Sequence, residues 1–185
     1  MREFRRIITP RTELILLMPE DLKWVHENMT ETEARGFLGM EDEALWERQK
    51  RRYTEGYTAF NYSALLFAIY SPTEKRTIGA IGFHNWQTEH NRAELGYGMN
   101  REEDKNKGYM SEALTPVLAF GFQDLNLHRI EALISPDNLP SRRLVEKAGF
   151  KEEGFVKEHY LRNGVYYSSI LYAQLQEEWK ELQKK

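Results

Sequence analysis

Arg92-Ala93-Glu94-Leu95-Gly96-Tyr97-Gly98-Met99 alternates residue by residue, whereas Tyr109-Met110-Ser111-Glu112-Ala113-Leu114 does not. In the first stretch Ala93, Leu95, Tyr97 and Met99 share one face and Glu94, Gly96 and Gly98 the other, the period of a strand. From Tyr109 the period becomes 3.6, and Met110, Ala113, Leu114, Val117, Leu118 and Gly121 form the stripe of an amphipathic helix. The polar turn Arg101-Glu102-Glu103-Asp104-Lys105-Asn106-Lys107-Gly108 joins them. A helix that starts straight out of such a turn has unpaired first amides with positive partial charge, which can seat an anion. Gly108 permits close backbone approach, and Lys105 and Lys107 add charge. Phosphate is the anion this junction suits. A plain helix start beside solvated lysines is the other reading.

Upstream, Thr12 to Met18 is a β-rich apolar run stopped by Pro19, and Glu20 to Met29 and Asp42 to Tyr53 have helical spacing. Ser63 to Tyr70 and Thr77 to Trp86 are strands parted by Ser71-Pro72-Thr73, a hairpin. Downstream, Pro116 lies inside the helical stripe and should bend the helix or open one backbone bond. Arg129 to Ser135 is the next strand. A helix follows from about Leu139 to Ala148, with Asn138 near its N-cap, Pro140 in its first turn and Gly149 as its stop. Lys151 to Tyr160 and Val165 to Leu175 form a second hairpin about Asn163-Gly164, before a short charged helix. The order β-α-α-β-β-β-α-β-α-β-β-α predicts an α+β fold with a mixed sheet covered by helices.

The chain has 185 residues, 41% hydrophobic and 30% charged, with no linker or repeat, so one domain over 1–185 is expected. Its 26 Lys plus Arg against 29 Asp plus Glu give a formal charge of -3, which argues against direct nucleic-acid binding. No apolar run is long enough for a bilayer, and the start has no signal-peptide core, so a cytoplasmic protein free of membrane is expected. There is no cysteine, and His26, His84, His90, His128 and His159 show no metal-ligand spacing. No metal is expected. Gly96-Tyr97-Gly98 lies inside a strand, so neither a P-loop nor a dinucleotide fingerprint applies.

Three runs in order, Ala93-Glu94-Leu95-Gly96-Tyr97, Asn106 to Ala113 and Asn138 to Phe150, resemble the GNAT N-acetyltransferase superfamily, and within it the ribosomal-protein N-terminal acetyltransferases. The likeness runs from about Thr9 to Trp179. It implies the GNAT fold, with a central sheet splayed at the cofactor site, and acetyl-CoA as acyl donor. Its pyrophosphate would rest on the amides of Lys105-Asn106-Lys107-Gly108-Tyr109-Met110. Against the family's [Q/R]-x-x-G-x-[G/A], Gly108 matches, Lys105 replaces Gln or Arg, Met110 replaces a small residue, and Asn106 stands where this branch usually has glycine. The connection from the strand also looks one residue longer. The resemblance further implies that free backbone groups of Tyr97, Gly98 and Met99 pair with the pantetheine arm, as an added strand would.

The expected reaction is acetyl transfer to a primary amine, most specifically the N-terminal α-amine of a ribosomal or other protein. Glu94 is the first candidate base, beside the transfer point, with His84 and Glu89 behind it; a glutamate there that binds structural amides is the competing reading. The superfamily often has a tyrosine as acid where this chain has Val145, whereas the ribosomal-protein branch uses a serine matched by Ser141. Ser141 could equally be a helix-start residue bonded to backbone, and Asn138 would cap the helix and orient the cofactor arm. One of Arg142, Arg143 and Lys147 is expected to meet the 3′-phosphate. Trp86, Tyr160, Tyr166 and Tyr167 either line the acceptor pocket or belong to the core. Arg48-Gln49-Lys50-Arg51-Arg52 reads as a solvated helix face before it reads as an acidic-surface contact. A small-amine acetyltransferase (amino acid, polyamine or aminoglycoside) and a non-catalytic CoA-binding regulatory domain are the alternatives. The chain is expected as monomer or homodimer.

Overall fold

The computed structural model describes residues 2–55 and 63–184. Eight strands form one sheet, β1 (Arg6–Ile8), β2 (Glu13–Leu17), β3 (Ser63–Ser71), β4 (Arg76–Gln87), β5 (Arg92–Met99), β6 (Arg129–Ile134), β7 (Lys151–Arg162) and β8 (Val165–Leu175). Their order is β1-β2-β3-β4-β5-β6-β8-β7. Every neighbouring pair is antiparallel except β5 and β6, which are parallel.

Both faces of the sheet are covered, which explains the unbroken apolar run in β2. Leu14 and Leu16 point to a large core shared with Phe67, Ile81, Phe83, Leu95 and the helix α4 (Tyr109–Ala119). Ile15 and Leu17 point the other way, into a second core built on α1 (Pro19–Asn28), α2 (Glu31–Leu38) and α3 (Glu43–Glu55). A strand buried on both faces loses the polar alternation that would otherwise mark it.

The expected mixed α+β sheet is present, with two additions to the expected order. β1 has only three residues and exposed ends, too little to register as a period. α2 begins at a capping box, Thr30 with Glu33, the Thr30 amide donating to Glu33 Oε2 at 2.8 Å. Its C-terminal stop is Gly39 at φ +69. α4 runs through Pro116 and then widens into a π-turn over Phe120–Asp124, with the Phe120 N–H reaching both Pro116 O and Val117 O. α5 (Leu139–Lys147) begins at Asn138, whose side chain accepts from the Ser141 amide, and Gly149 follows at φ +97. Asn163 and Gly164 both take positive φ, 51° and 76°, as a type I′ hairpin turn requires. α6 (Gln176–Leu182) closes the described chain.

β5 and β6 pair only at Arg92↔Arg129, Ala93↔Ile130 and Glu94↔Glu131. Beyond Glu94 the strands part, while β5 stays registered on β4 as far as Gly79↔Met99. The Asn100 amide donates to Ile78 O on β4. Backbone direction alternates along a strand, so the amides of Met99 and Tyr97 point away from β4, into the fork.

Candidate active site

Gly108 is the N-cap of α4 at φ +81, ψ 0, with no side chain to occupy the helix start. The first intrahelical bond is Glu112 N to Gly108 O, so the amides of Tyr109, Met110 and Ser111 precede the ladder. A Cβ at Gly108 would meet only Arg11 Nη2, at 3.4 Å. The glycine is therefore set by backbone conformation rather than by crowding. Asn106 also takes a left-handed φ, +59, a conformation that asparagine tolerates better than most residues. Its place in the turn thus demands what a glycine would offer.

A cleft of about 810 Å³ opens over this helix start. Tyr97, Gly98 and Met99 of β5 form one wall, Lys105, Asn106, Gly108, Tyr109 and Met110 the next, and Asn138 and Ser141 of α5 the third. These are ten of the eleven expected site residues outside the base, brought together from three segments. Lys107 does not line the cleft; its carbonyl accepts from Arg11 Nη1 at 3.0 Å. Lys105 is ion-paired with Glu102. Arg143 and Lys147 reach the cleft wall, whereas Arg142 is turned to the Tyr172 hydroxyl at 3.1 Å.

Ser141 Oγ has no hydrogen-bond partner among the described residues, while the Ser141 amide donates to Asn138 Oδ1 at 3.2 Å. The Tyr97 hydroxyl donates to the Ser141 carbonyl at 3.4 Å. Burial pushes the Tyr97 hydroxyl pKa up, and the bond to Ser141 opposes that only in part. Val145 is fully buried in the core.

Glu94 lies outside the cleft lining. It stands on the face of Gly96 and Gly98, about 13 Å along β5 from Gly98 at ~3.3 Å per residue. It is the last β5 residue paired to β6, at the base of the fork. Asn85 Nδ2 donates to it at 2.9 Å, and His84 Nε2 stands 3.6 Å away. Trp86 packs partly buried against the large core. Tyr160, Tyr166 and Tyr167 are exposed, with Tyr160 and Tyr167 stacked at 5.5 Å, and none of these aromatics lines the cleft. In the basic run of α3, Arg48 and Arg51 are solvated and Lys50 pairs with Glu47; the Arg52 side chain lies outside the described set.

Sequence reasoning missed the residues that brace the helix start. Glu112 accepts from the Thr9 hydroxyl at 2.6 Å, the Arg11 amide at 2.8 Å and Arg11 Nε at 2.7 Å. Burial acts to raise its pKa, but the Thr9 and Arg11 bonds hold it below the ordinary carboxylate value. The Asp104 side chain is fully buried and takes two bonds from Arg76, at 2.8 and 2.9 Å. Arg76 holds its carboxyl below the usual range. No local pattern announces these pairs, whose partners are 101 and 28 positions apart.

Residues 11–151 match the family model of the acetyltransferase (GNAT) domain. The chain belongs to this GNAT family. Among curated relatives it is 39% identical over 113 residues to the uncharacterized N-acetyltransferase YnaD of Bacillus subtilis, covering 61% of this chain and 65% of that one. It is 32% identical over 118 residues to the [ribosomal protein uS5]-alanine N-acetyltransferase of Escherichia coli, covering 63% and 60%. The matches thus span less than two thirds of these relatives' own lengths. Among solved structures, the spermidine/spermine N-acetyltransferase SpeG of Vibrio cholerae superposes at TM-score 0.68 and 23% identity, covering 93% of this chain and 99% of that one. At that identity the likeness concerns the GNAT fold. GNAT domains use acetyl-CoA, and the donor set here suits it: unpaired amides and cations for the phosphates, and an unpaired strand edge for an amide-bearing arm. No group of three His, Cys, Asp or Glu among the described residues could hold a metal ion, and no described helix is long and apolar enough to cross a membrane.

Proposed function

We propose that this chain is a single-domain, cytoplasmic N-acetyltransferase that moves the acetyl group of acetyl-CoA to the N-terminal α-amine of a protein or peptide. One observation carries the reading: β5 leaves β6 after Glu94, and its free edge runs into the uncapped start of α4. The 32% identity to the uS5-alanine enzyme supports the choice of acceptor.

Acetyl-CoA, when bound, supplies an activated thioester. The Met99 amide, aimed into the fork, donates to the developing oxyanion. Asn138 fixes the start of α5, and the free Ser141 hydroxyl hydrogen-bonds the leaving sulfur. Glu94, at the base of the fork and about 13 Å along β5 from Gly98, is too far for direct contact or a single bridging water, so it would take the amine proton only at the end of a chain of several waters. A carboxylate suffices because an α-amine has a pKa of about 7.7–8.0, against about 10.4 for lysine.

The deciding measurement is thiol release from acetyl-CoA with three acceptors: peptides with free N-termini, the same peptides N-blocked but carrying lysine, and spermidine. Free N-termini are expected to react fastest. Equal or faster reaction of blocked peptides or spermidine overturns the acceptor assignment in favour of a small-amine or lysine enzyme. No release with any amine, alongside intact CoA binding, points instead to a regulatory CoA-binding domain.

A further inference from the structure

The turn from Arg101 to Gly108 has one glycine, yet two of its residues, Asn106 and Gly108, hold left-handed φ angles. Asparagine tolerates that region better than most residues, so the conformation itself is cheap, and what holds the turn in one aim is its surroundings. Two ion pairs, each with an arginine from outside the turn, brace its two ends. At the exit, Glu112 in the first turn of α4 takes three bonds from Thr9 and Arg11. Arg11 then reaches on to the Lys107 carbonyl at 3.0 Å, and its guanidinium lies 4.6 Å over the Tyr109 ring. At the entry, the buried Asp104 carboxylate is held at both oxygens by Arg76 of β4. Asp104 lines the cleft and Glu112 lies in the first turn of α4 above it, where an uncompensated negative charge would weaken anion binding. Each is answered by an arginine from elsewhere in the chain, Arg11 in the β1–β2 turn and Arg76 at the start of β4.

We propose that the Arg11–Glu112 and Arg76–Asp104 pairs are positioning clamps that aim the turn's amides at the phosphates, so that donor affinity is set by side chains outside the glycine motif. This rests on the reading of the turn as the CoA pyrophosphate seat. The sign of one substitution separates a clamp from simple electrostatics. Removing the Glu112 charge by Glu112→Gln would strengthen anion binding if charge alone mattered, and weakens it if the carboxylate is a clamp.

The test uses calorimetric binding of CoA, and of pantetheine, which lacks the phosphates. Arg11→Met is the mild variant, because the Arg11 side chain is 48% exposed and its loss leaves the core intact. Arg11→Met and Glu112→Gln are each expected to weaken CoA about tenfold, or ~1.4 kcal/mol. Pantetheine affinity is expected to stay within twofold. Tighter CoA binding by Glu112→Gln, unchanged CoA binding by Arg11→Met, or an equal loss for both ligands overturns the proposal. Wild-type protein that binds CoA no better than pantetheine overturns the phosphate seat itself, and is told apart because no variant is needed to see it.

Discussion

Gly108→Ala isolates the backbone contribution of the helix start. The new methyl would meet nothing closer than Arg11 Nη2 at 3.4 Å, an ordinary contact, so crowding contributes little. The cost is conformational: at φ +81 an L-residue loses roughly 1–2 kcal/mol relative to glycine. For a domain of this size each kcal/mol lowers the melting midpoint by about 2–4 °C, so a fall of roughly 2–8 °C is expected without loss of fold. If the turn escapes the strain by relaxing, the amides of Tyr109 to Ser111 lose their aim and CoA binding falls at least tenfold, ~1.4 kcal/mol. Gly164→Ala is the matched control. Gly164 has φ +76 with open space around it, and lies in the β7–β8 turn, outside the cleft lining. Its alanine variant should lose similar stability and keep CoA affinity. Thermal melts with and without CoA, and calorimetric Kd values, read both effects. Gly108→Ala with wild-type CoA affinity, or Gly164→Ala with an equal affinity loss, refutes the reasoning.

Two further outcomes are expected. Ser141→Ala and Glu94→Gln should each lower kcat about 10²-fold while CoA affinity stays near normal, and wild-type turnover in either removes that residue from the mechanism. His26 lies between the rings of Trp46 and Tyr53, at 5.2 and 4.7 Å, with Nε2 buried and unpartnered among the described residues. Burial lowers its pKa, so its contribution to stability is complete above the unfolded value of about 6.5 and is lost as pH falls toward the folded value. Melting midpoints between pH 7.5 and 5 should fall less steeply in His26→Phe than in wild type; parallel curves count against the assignment.

The parts of the site that could be read along the chain are those made by local backbone rules. The switch from period two to 3.6 at Tyr109, the Asn138 cap and the Asn163-Gly164 turn all express conformations that a few adjacent residues decide. Glu94 was legible as a position but not as a neighbour: alternation gave its face, while its distance from the cleft wall depends on how far β5 runs alone after leaving β6. That parting is a relation between strands whose paired ends, Glu94 and Glu131, are distant in sequence, so no window contains it. The clamps show the same limit more sharply. Arg11 sits in a polar β1–β2 turn and Arg76 at the start of a strand, and each is locally an ordinary solvated cation until the sheet brings it to a carboxylate. Asp104 reads as one of three acidic residues in a row, yet it alone of the three is buried, because Arg76 satisfies both of its oxygens. Chemistry supplied by backbone can be found from pattern; chemistry tuned by a partner across the sheet needs the fold first.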